Sequence, residues 1–324
     1  MKNSKKNFEI LLPKNQLQLF GYDNYFNFFI KLFKTNKLPN TILFTGQKGS
    51  GKATFAYHLS NYLLSDTENY KYDTVAHTIH SENKSYINLC NSTHPNFFLL
   101  ENSNIDEDIK IENIKDVLKF IKKTAYNSGI KIVLVDNAEY LNISSSNALL
   151  KALEEPYNNT IFFIIHDSGK KILNTIKSRS FEFKFFFSQN NKKKILQKII
   201  KKYENILTSE NLDENFYLDT HGNIIRYLKI LKDNDINSSN DKLFCISSLI
   251  DKYKNKKDPQ FIFFISLLIE LFYKELSMKN EKNINIYFYN KFKILKQINE
   301  ARRFNLDKNN LFISLQNILK NEAR

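Results

Sequence analysis

The chain has 324 residues, of which 42% are hydrophobic, so it can fold into two or three domains and is not globally disordered. Its two cysteines, Cys90 and Cys245, are too few for a disulfide framework and fit a reducing compartment. The net charge of +14 suits a polyanionic partner such as DNA, but an AT-rich coding sequence, which enriches Lys together with Asn and Ile, is an equally open explanation.

Strands and helices alternate in the predicted elements up to about residue 186. In chain order they are a strand at 41–46, a helix at 52–64, a strand at 96–101, a helix at 109–126, a strand at 131–139, a helix at 144–156, and strands at 160–166 and 180–185. Apolar strands that alternate with helices predict a parallel sheet covered on both faces.

Beyond residue 187 the pattern is helical only, beginning with helices at 191–207 and 223–232. The run FIFFISLLIELF is apolar on all sides, so its helix needs packing partners in several directions. We predict an α/β domain at 1–186, a small helical domain at 187–238 and a larger helical domain at 239–324.

No apolar run approaches the roughly 20 residues that a membrane helix needs. The N-terminal segment MKNSKKNFEILLPKN is charged and lacks the long apolar stretch of a signal peptide. We therefore expect a cytoplasmic protein without a membrane partner.

The segment GQKGSGKATF is close to the phosphate-binding pattern G-x-x-x-x-G-K-[ST], and a predicted strand precedes it and a predicted helix follows it. This context turns backbone N–H groups and a helix N-terminus toward a phosphate. Where the pattern has a metal-binding hydroxyl, the chain has Ala53. The candidate loop residues are Gly46, Gly49, Gly51, Lys52 and Thr54, whose hydroxyl lies one position too far along the helix. A glycine-rich turn that binds nothing is the alternative.

Two further patterns point to nucleotide chemistry. The apolar strand KIVLVD ends in Asp136, which is where many ATPases hold Mg²⁺ with an aspartate. The next residue is Asn137, whose amide cannot act as a base, and Glu139 lies two residues further on. Arg179, in ILNTIKSRS, precedes the last strand; an arginine at a subunit edge can stabilise charge on a neighbour's phosphate, although a surface ion pair is the commoner role.

Taken together, GKAT, VLVDNAEYLNISSSNALLKALEEP, FFIIHD, ILNTIKSRS and HPNFFLLE resemble the subunits of the bacterial DNA polymerase III clamp loader, in particular the delta-prime type, from about residue 17 to 186. The resemblance implies a P-loop (AAA+) α/β domain, a three-helix lid and a helical collar that joins five subunits. It assigns Arg179 as a finger acting on an adjacent ATPase subunit. Ser178 and Ser180 complete its motif, which is S-R-C in the family. The implied partners are the gamma/tau and delta subunits and, through the complex, the sliding clamp and primer-template DNA.

The chain departs from that family at two further places. Of the four zinc-binding cysteines usual in clamp-loader subunits only Cys90, with His94 nearby, is present, so we expect no structural zinc. The lid arginine of active members is replaced by Ile225, and Arg226, one position later, is expected to face solvent. With Ala53 and Asn137, this indicates a nucleotide fold that no longer hydrolyses ATP.

We therefore predict a delta-prime-like, non-hydrolysing ring member that requires no cofactor of its own. Whether ATP still binds at Lys52 is left open by the sequence. One alternative is a gamma/tau-type ATPase subunit of the same loader; another is an independent P-loop enzyme, and a third is a DNA-binding protein driven by charge. The first two need the hydroxyl that Ala53 removes.

Overall fold

The structure is a computed structural model that describes residues 12–102, 108–126, 129–154, 157, 159–204, 219–237, 241–256, 259–304 and 306–322. The chain divides into two compact units. The first comprises Met1–Lys202 with Thr220–Asn223, and the second comprises Tyr203–Asp219 with Ile224–Arg324. The predicted division at residues 186 and 238 into three domains stays a prediction.

The first unit contains a sheet of five parallel strands, so the predicted parallel α/β fold is confirmed. The strands are β1 (Thr41–Gly46), β2 (Phe97–Leu100), β3 (Lys131–Val135), β4 (Thr160–Asp167) and β5 (Phe181–Lys184). Their spatial order is β2-β3-β4-β1-β5. At the carboxyl end of central strand β1, Thr45 pairs with His166 on one side and Lys184 on the other.

Helices cover both faces of this sheet. They are α1 (Asp23–Lys34), α2 (Lys52–Leu64), α3 (Lys84–Cys90), α4 (Ile111–Lys122), α5 (Ile143–Glu154), α6 (Asn174–Lys177) and α7 (Gln189–Lys202), and α8 (His221–Asp233) begins in the same unit. Alternate residues of a strand face opposite sides, which explains why β1 and β3 are buried along their whole length.

Each face of the sheet has its own hydrophobic core. On one face Phe44 of β1 lies 5.5 Å (between ring centroids) from Phe55 of α2 and 5.6 Å from Phe29 of α1. On the other face the neighbouring Leu43 joins Val117 of α4 and Leu149 of α5, all fully buried. The two cores fix α2 and α5 on opposite sides of the sheet, and with them the loops at its carboxyl edge.

The described part of the second unit is helical. Its elements are the remainder of α8, then α9 (Lys242–Lys256), α10 (Pro259–Lys279), α11 (Ile284–Arg303) and α12 (Lys308–Glu322). Helix α10 contains the apolar run, and Phe264, Ile265, Leu268 and Ile269 are each at most 2% exposed. Both α9 and α11 pack against α10, as the all-round apolar character predicts. None of the described helices combines the length and apolar character that crossing a bilayer requires.

Candidate functional site

The phosphate-type loop lies between β1 and α2, so the predicted strand–loop–helix arrangement is present. Gly49 has φ +80° and Gly51 has φ +93°, a left-handed backbone that residues with a Cβ rarely adopt. Gly51 is also the N-cap of α2. The glycines are therefore required by the shape of the loop, whether or not a ligand binds there.

Lys52 is only 5% exposed, and its ammonium is held by the loop itself. Its Nζ donates hydrogen bonds to the carbonyls of Gly46 at 2.8 Å and Gln47 at 2.7 Å. Burial lowers the pKa of Lys52 to about 8, against the opposing effect of the nearby Asp167 and other carboxylates. At neutral pH the lysine therefore carries its charge for most of the time, balanced by carboxylates of its own chain.

Asp167, which the sequence analysis did not single out, lies against the phosphate-type loop. Its Oδ1 accepts a hydrogen bond from the backbone N–H of Lys48 at 3.2 Å and another from Gly169 at 3.1 Å. The backbone N–H of Asp167 in turn donates to Glu139 Oε2 at 3.2 Å. A carboxylate thus binds a loop N–H of the kind that serves phosphate in nucleotide-binding proteins. One feature of the sequence could have indicated Asp167. It ends β4, at the same edge of the sheet where Asp136 follows β3.

The loop carbonyls are also engaged within the first unit. Three successive carbonyls accept hydrogen bonds: Lys48 from Thr220 Oγ1 at 2.8 Å, Gly49 from the Gly222 N–H at 2.8 Å, and Ser50 from Tyr22 Oη at 2.5 Å. The contact with Gly222 is close, since a Cβ added there would lie 2.4 Å from the Gly49 oxygen. The segment Thr220–Asn223 therefore docks directly on the loop, a contact that no local sequence pattern announces.

Two residues depart from the nucleotide-binding patterns, Ala53 and Asn137, and the structure shows what each of them contacts. The methyl group of Ala53 packs against the core beside α2, and Thr54 is half-buried in the first helical turn. Asn137 adopts a left-handed backbone with φ 56°, donates its N–H to Asp136 Oδ1 at 2.9 Å and its side-chain amide to Asn102 at 3.3 Å. Asparagine tolerates this conformation better than glutamate does, so the backbone itself disfavours a catalytic carboxylate at this position.

These groups do not fit a hydrolysable Mg²⁺–nucleotide. The structure brings Gly46, Lys52, Asp136, Glu139 and Asp167 together at one edge of the sheet, as the shared electrostatic and hydrogen-bond contacts show. It provides no hydroxyl at position 53 and adds a carboxylate where a phosphate would need positive charge.

Because Asp136 is buried, we predict that its effect on the free energy of unfolding depends on pH. Its surroundings raise the pKa of Asp136 from 3.8 to about 6, mainly by desolvation. Because a raised pKa favours the protonated folded form, the carboxyl's contribution to stability is complete at low pH and is lost as the pH rises through about 6. We expect Asp136→Asn to raise the free energy of unfolding by roughly 1–3 kcal/mol at pH 7.5 and by much less at pH 4.5.

Urea denaturation of both proteins at the two pH values measures this difference. Asp116→Asn, in an exposed ion pair with Lys119, is the control for the same substitution at the surface and should change the free energy of unfolding by no more than about 1 kcal/mol. An equal effect of Asp136→Asn at both pH values would contradict the assignment.

Arg179 lies between α6 and β5 and forms an ion pair with Glu154 at the end of α5. Both Nε and Nη2 of Arg179 lie 2.5 Å from Glu154 Oε1. Ser178 Oγ donates to the carbonyl of Thr175 at 3.1 Å and Ser180 Oγ to that of Ile176 at 2.8 Å, which fixes the turn. The ion pair raised as an alternative role thus exists within the chain, and a role toward a neighbouring subunit stays a prediction.

The other sequence candidates have ordinary hydrogen-bond partners. Cys90 Sγ donates to the carbonyl of Lys14 at 3.1 Å, and His94 Nε2 lies 3.2 Å from Ser85 Oγ. Within the described ranges no three His, Cys, Asp or Glu residues gather as metal ligands; the absence of zinc stays a prediction. On α8, Ile225 is buried, and Arg226 is exposed as expected.

Comparison with known proteins decides the family. The family model described as DNA polymerase III, delta subunit, matches residues 21–189, which is just over half of the chain. The chain belongs to this family. Among curated proteins, the DNA polymerase III subunit delta' of Pseudomonas aeruginosa is 35% identical over 137 residues, covering 42% of this chain and 40% of that protein. These matches confirm the resemblance to delta-prime subunits.

One further relative and one solved structure mark the breadth of the similarity. The DNA polymerase III subunit gamma of Buchnera aphidicola is 33% identical over 137 residues, covering 40% of this chain and 38% of that protein. The solved structure of a gamma subunit-related protein from Thermotoga maritima aligns with a TM-score of 0.52 at 14% identity, covering 91% of this chain and 99% of the other. This structure supports the fold. The chain spans well under half the length of the curated relatives it matches.

Proposed function

We propose that this delta-family chain is a delta-prime-type, non-hydrolysing subunit of a DNA polymerase III clamp loader. Its family membership and the delta' names of several relatives support this assignment. The observation that carries the non-hydrolysing part is the Asp167 carboxylate on the loop N–H of Lys48, in a loop that has Ala53 where a hydroxyl would bind the metal. The loop keeps the shape of a nucleotide site while its polar groups bind the chain itself.

In this proposal the chain's residues act toward neighbouring subunits. Arg179 stabilises negative charge on the γ-phosphate held by an adjacent ATPase subunit, because a guanidinium is permanently charged and presents several donors. The loop and the segment Thr220–Asn223 stabilise each other through hydrogen bonds within the first unit. The helices of the second unit form the collar that joins the ring.

The proposed partners are gamma/tau-type and delta subunits in a ring of five, and through that ring the sliding clamp and primer-template DNA. The net charge of +14 is compatible with DNA contact. The proposed location is the cytoplasm, where replication of a bacterial chromosome takes place. The chain requires no zinc and no nucleotide of its own in this scheme.

A gamma/tau-type ATPase subunit is the second candidate, because relatives named gamma and gamma/tau also match. This candidate needs Mg²⁺ and ATP at Lys52. Three features argue against this candidate: the methyl group of Ala53, the left-handed backbone of Asn137 and the carboxylate of Asp167 at the loop. An independent P-loop enzyme has the same chemical difficulty and does not explain the family match.

Reconstitution with the gamma/tau and delta subunits of the same bacterium tests the proposal. We expect no ATP turnover by the purified chain alone, since its loop cannot hold Mg²⁺ in the usual way. We expect clamp- and DNA-stimulated ATP hydrolysis to rise when the chain completes the mixture. The measurement is the steady-state rate of phosphate release with and without this chain.

Lys52→Ala is the matched variant for that experiment. If the chain alone hydrolyses ATP and Lys52→Ala abolishes that activity, the non-hydrolysing assignment is wrong; stimulation of that activity by the delta subunit and the clamp would then favour the gamma/tau-type candidate over an independent P-loop enzyme. If the complete mixture shows no greater activity than the mixture without the chain, the clamp-loader proposal fails.

A further inference from the structure

The guanidinium of Arg179 is held by three groups of its own chain. Its Nε donates to Glu154 Oε1 at 2.5 Å, and Nη2 lies at the same distance from that oxygen. Its Nη1 donates to the carbonyl of Thr175 at 3.1 Å and approaches Ser178 Oγ at 3.4 Å. The side chains of Arg179 and Glu154 are 34% and 46% exposed. All three nitrogens are therefore oriented, yet the group remains accessible from outside.

The groups that hold the arginine are themselves fixed. Glu154 is the last residue of α5, and the two residues before it, Ala152 and Leu153, are at most 5% exposed in the core. Thr175 precedes Ile176, which is fully buried and anchors α6. Arg179 is thus placed by two elements that are both packed on the same core. A flexible surface ion pair lacks this support.

The location of Glu154 is itself unfavourable without the arginine. The carbonyl groups at a helix C-terminus repel negative charge. The guanidinium supplies the compensating positive charge and two donors to one carboxylate oxygen. The pair is consequently mutual: each charge stabilises the other at a helix end where the carboxylate alone is disfavoured.

The planar shape of the guanidinium determines which of its hydrogens can be donated to a phosphoryl oxygen. Glu154 occupies the edge formed by Nε and Nη2, and each Nη carries two hydrogens. The second Nη2 hydrogen points away from Glu154 because all five hydrogens lie in one plane. A phosphoryl oxygen can therefore accept from the far end of the group while Glu154 keeps its hold on the near edge.

We propose that Glu154 is a positioning residue for Arg179, holding the near edge of the guanidinium so that its far end is presented to a phosphoryl group on a neighbouring subunit. This inference rests on the proposed function, in which Arg179 acts in trans. Fixing the group in advance removes the loss of side-chain freedom that would otherwise accompany its contact with the transition state. Glu154 itself contacts neither the nucleotide nor the reacting atoms.

The test uses the reconstituted clamp loader with Glu154→Ala, Glu154→Gln, Arg179→Ala and the double variant Glu154→Ala/Arg179→Ala. Pre-steady-state ATP hydrolysis resolves the site that faces this subunit. We expect Glu154→Ala to slow that site about tenfold with the KM for ATP within about twofold, because the neighbour's own loop binds ATP. Glu154→Gln, which keeps an acceptor oxygen, should lie between Glu154→Ala and the wild type.

The double variant separates positioning from a structural role. If Glu154 acts through Arg179, Glu154→Ala has no further effect once Arg179 is alanine. A clamp loader that contains Asp116→Ala, which removes another exposed ion pair, should hydrolyse ATP at the wild-type rate. Thermal unfolding of each variant shows whether the fold is retained; Glu154→Gln provides the measurement if Glu154→Ala fails to fold.

The outcomes are distinguishable. If Arg179→Ala slows the site while both Glu154 variants match or exceed the wild-type rate, the positioning role is wrong and the proposed function stands. If Glu154→Ala slows the site equally in both backgrounds, Glu154 has a structural role and the inference is overturned. If Arg179→Ala has no effect, the inference and the trans role fall together.

Discussion

Arg179→Ala is expected to leave assembly of the clamp loader intact and to impair clamp loading through one ATP site. Arginine fingers supplied in trans contribute about 10³–10⁵ in rate in well-studied GTPases, so the site that faces this subunit should become almost inactive. The other ATP sites of the ring should keep their rates, and the loss of total ATP hydrolysis is therefore partial. Arg179→Lys should be similarly defective because an ammonium lacks the planar fork.

Two measurements define that result. ATP binding by the neighbouring subunit should be unchanged in the mutant complex, since the arginine acts on the transition state. Removal of the exposed ion pair with Glu154 should change the free energy of unfolding by no more than about 1 kcal/mol. Arg226→Ala, at an exposed arginine of α8, is the control and should load clamps normally. Clamp loading at the wild-type rate by Arg179→Ala would show that Arg179 is only an ion-pair partner.

The parallel sheet was predictable from the sequence because its strands are short and apolar on both faces. The predicted strand at 41–46 and helix at 52–64 agree with β1 and α2 at both ends. The predicted strand at 131–139 was too long, since β3 ends at Val135. The left-handed backbone of Asn137 breaks the extended conformation there, and an apolar run gives no warning of it.

The hydrogen bonds that distant residues make with the phosphate-type loop were not predictable from the sequence of the loop. Asp167 and the segment Thr220–Asn223 lie far from the loop along the chain and meet it only after folding. A motif search reads the loop residues and their immediate neighbours, so it detected the missing hydroxyl at position 53 and missed the added carboxylate. Tyr22, which bonds the carbonyl of Ser50, was missed for the same reason.

The exposed aromatic side chains of α11 lead to the second prediction with a large expected effect. Ile284, Phe288 and Phe292 are spaced four residues apart and are 38%, 56% and 67% exposed, so they lie on one face of the helix. Other residues of α11, Ile294 and Ile298, are 1% exposed within the unit. We expect the exposed face to contact a neighbouring subunit in the collar, because aromatic side chains dominate the binding energy of protein interfaces.

Phe288→Asp/Phe292→Asp should therefore weaken incorporation into the loader by about a thousandfold, from roughly 2 kcal/mol lost at each buried aromatic contact. Co-purification with the gamma/tau and delta subunits measures the loss, and thermal unfolding should change much less because both side chains are more than half exposed within the chain. Phe186→Asp is the matched control, since Phe186 is 78% exposed and belongs to the first unit. Normal incorporation of the double variant would place the collar contact elsewhere in the second unit, and a comparable loss with Phe186→Asp would mean that assembly does not depend on the α11 face in particular.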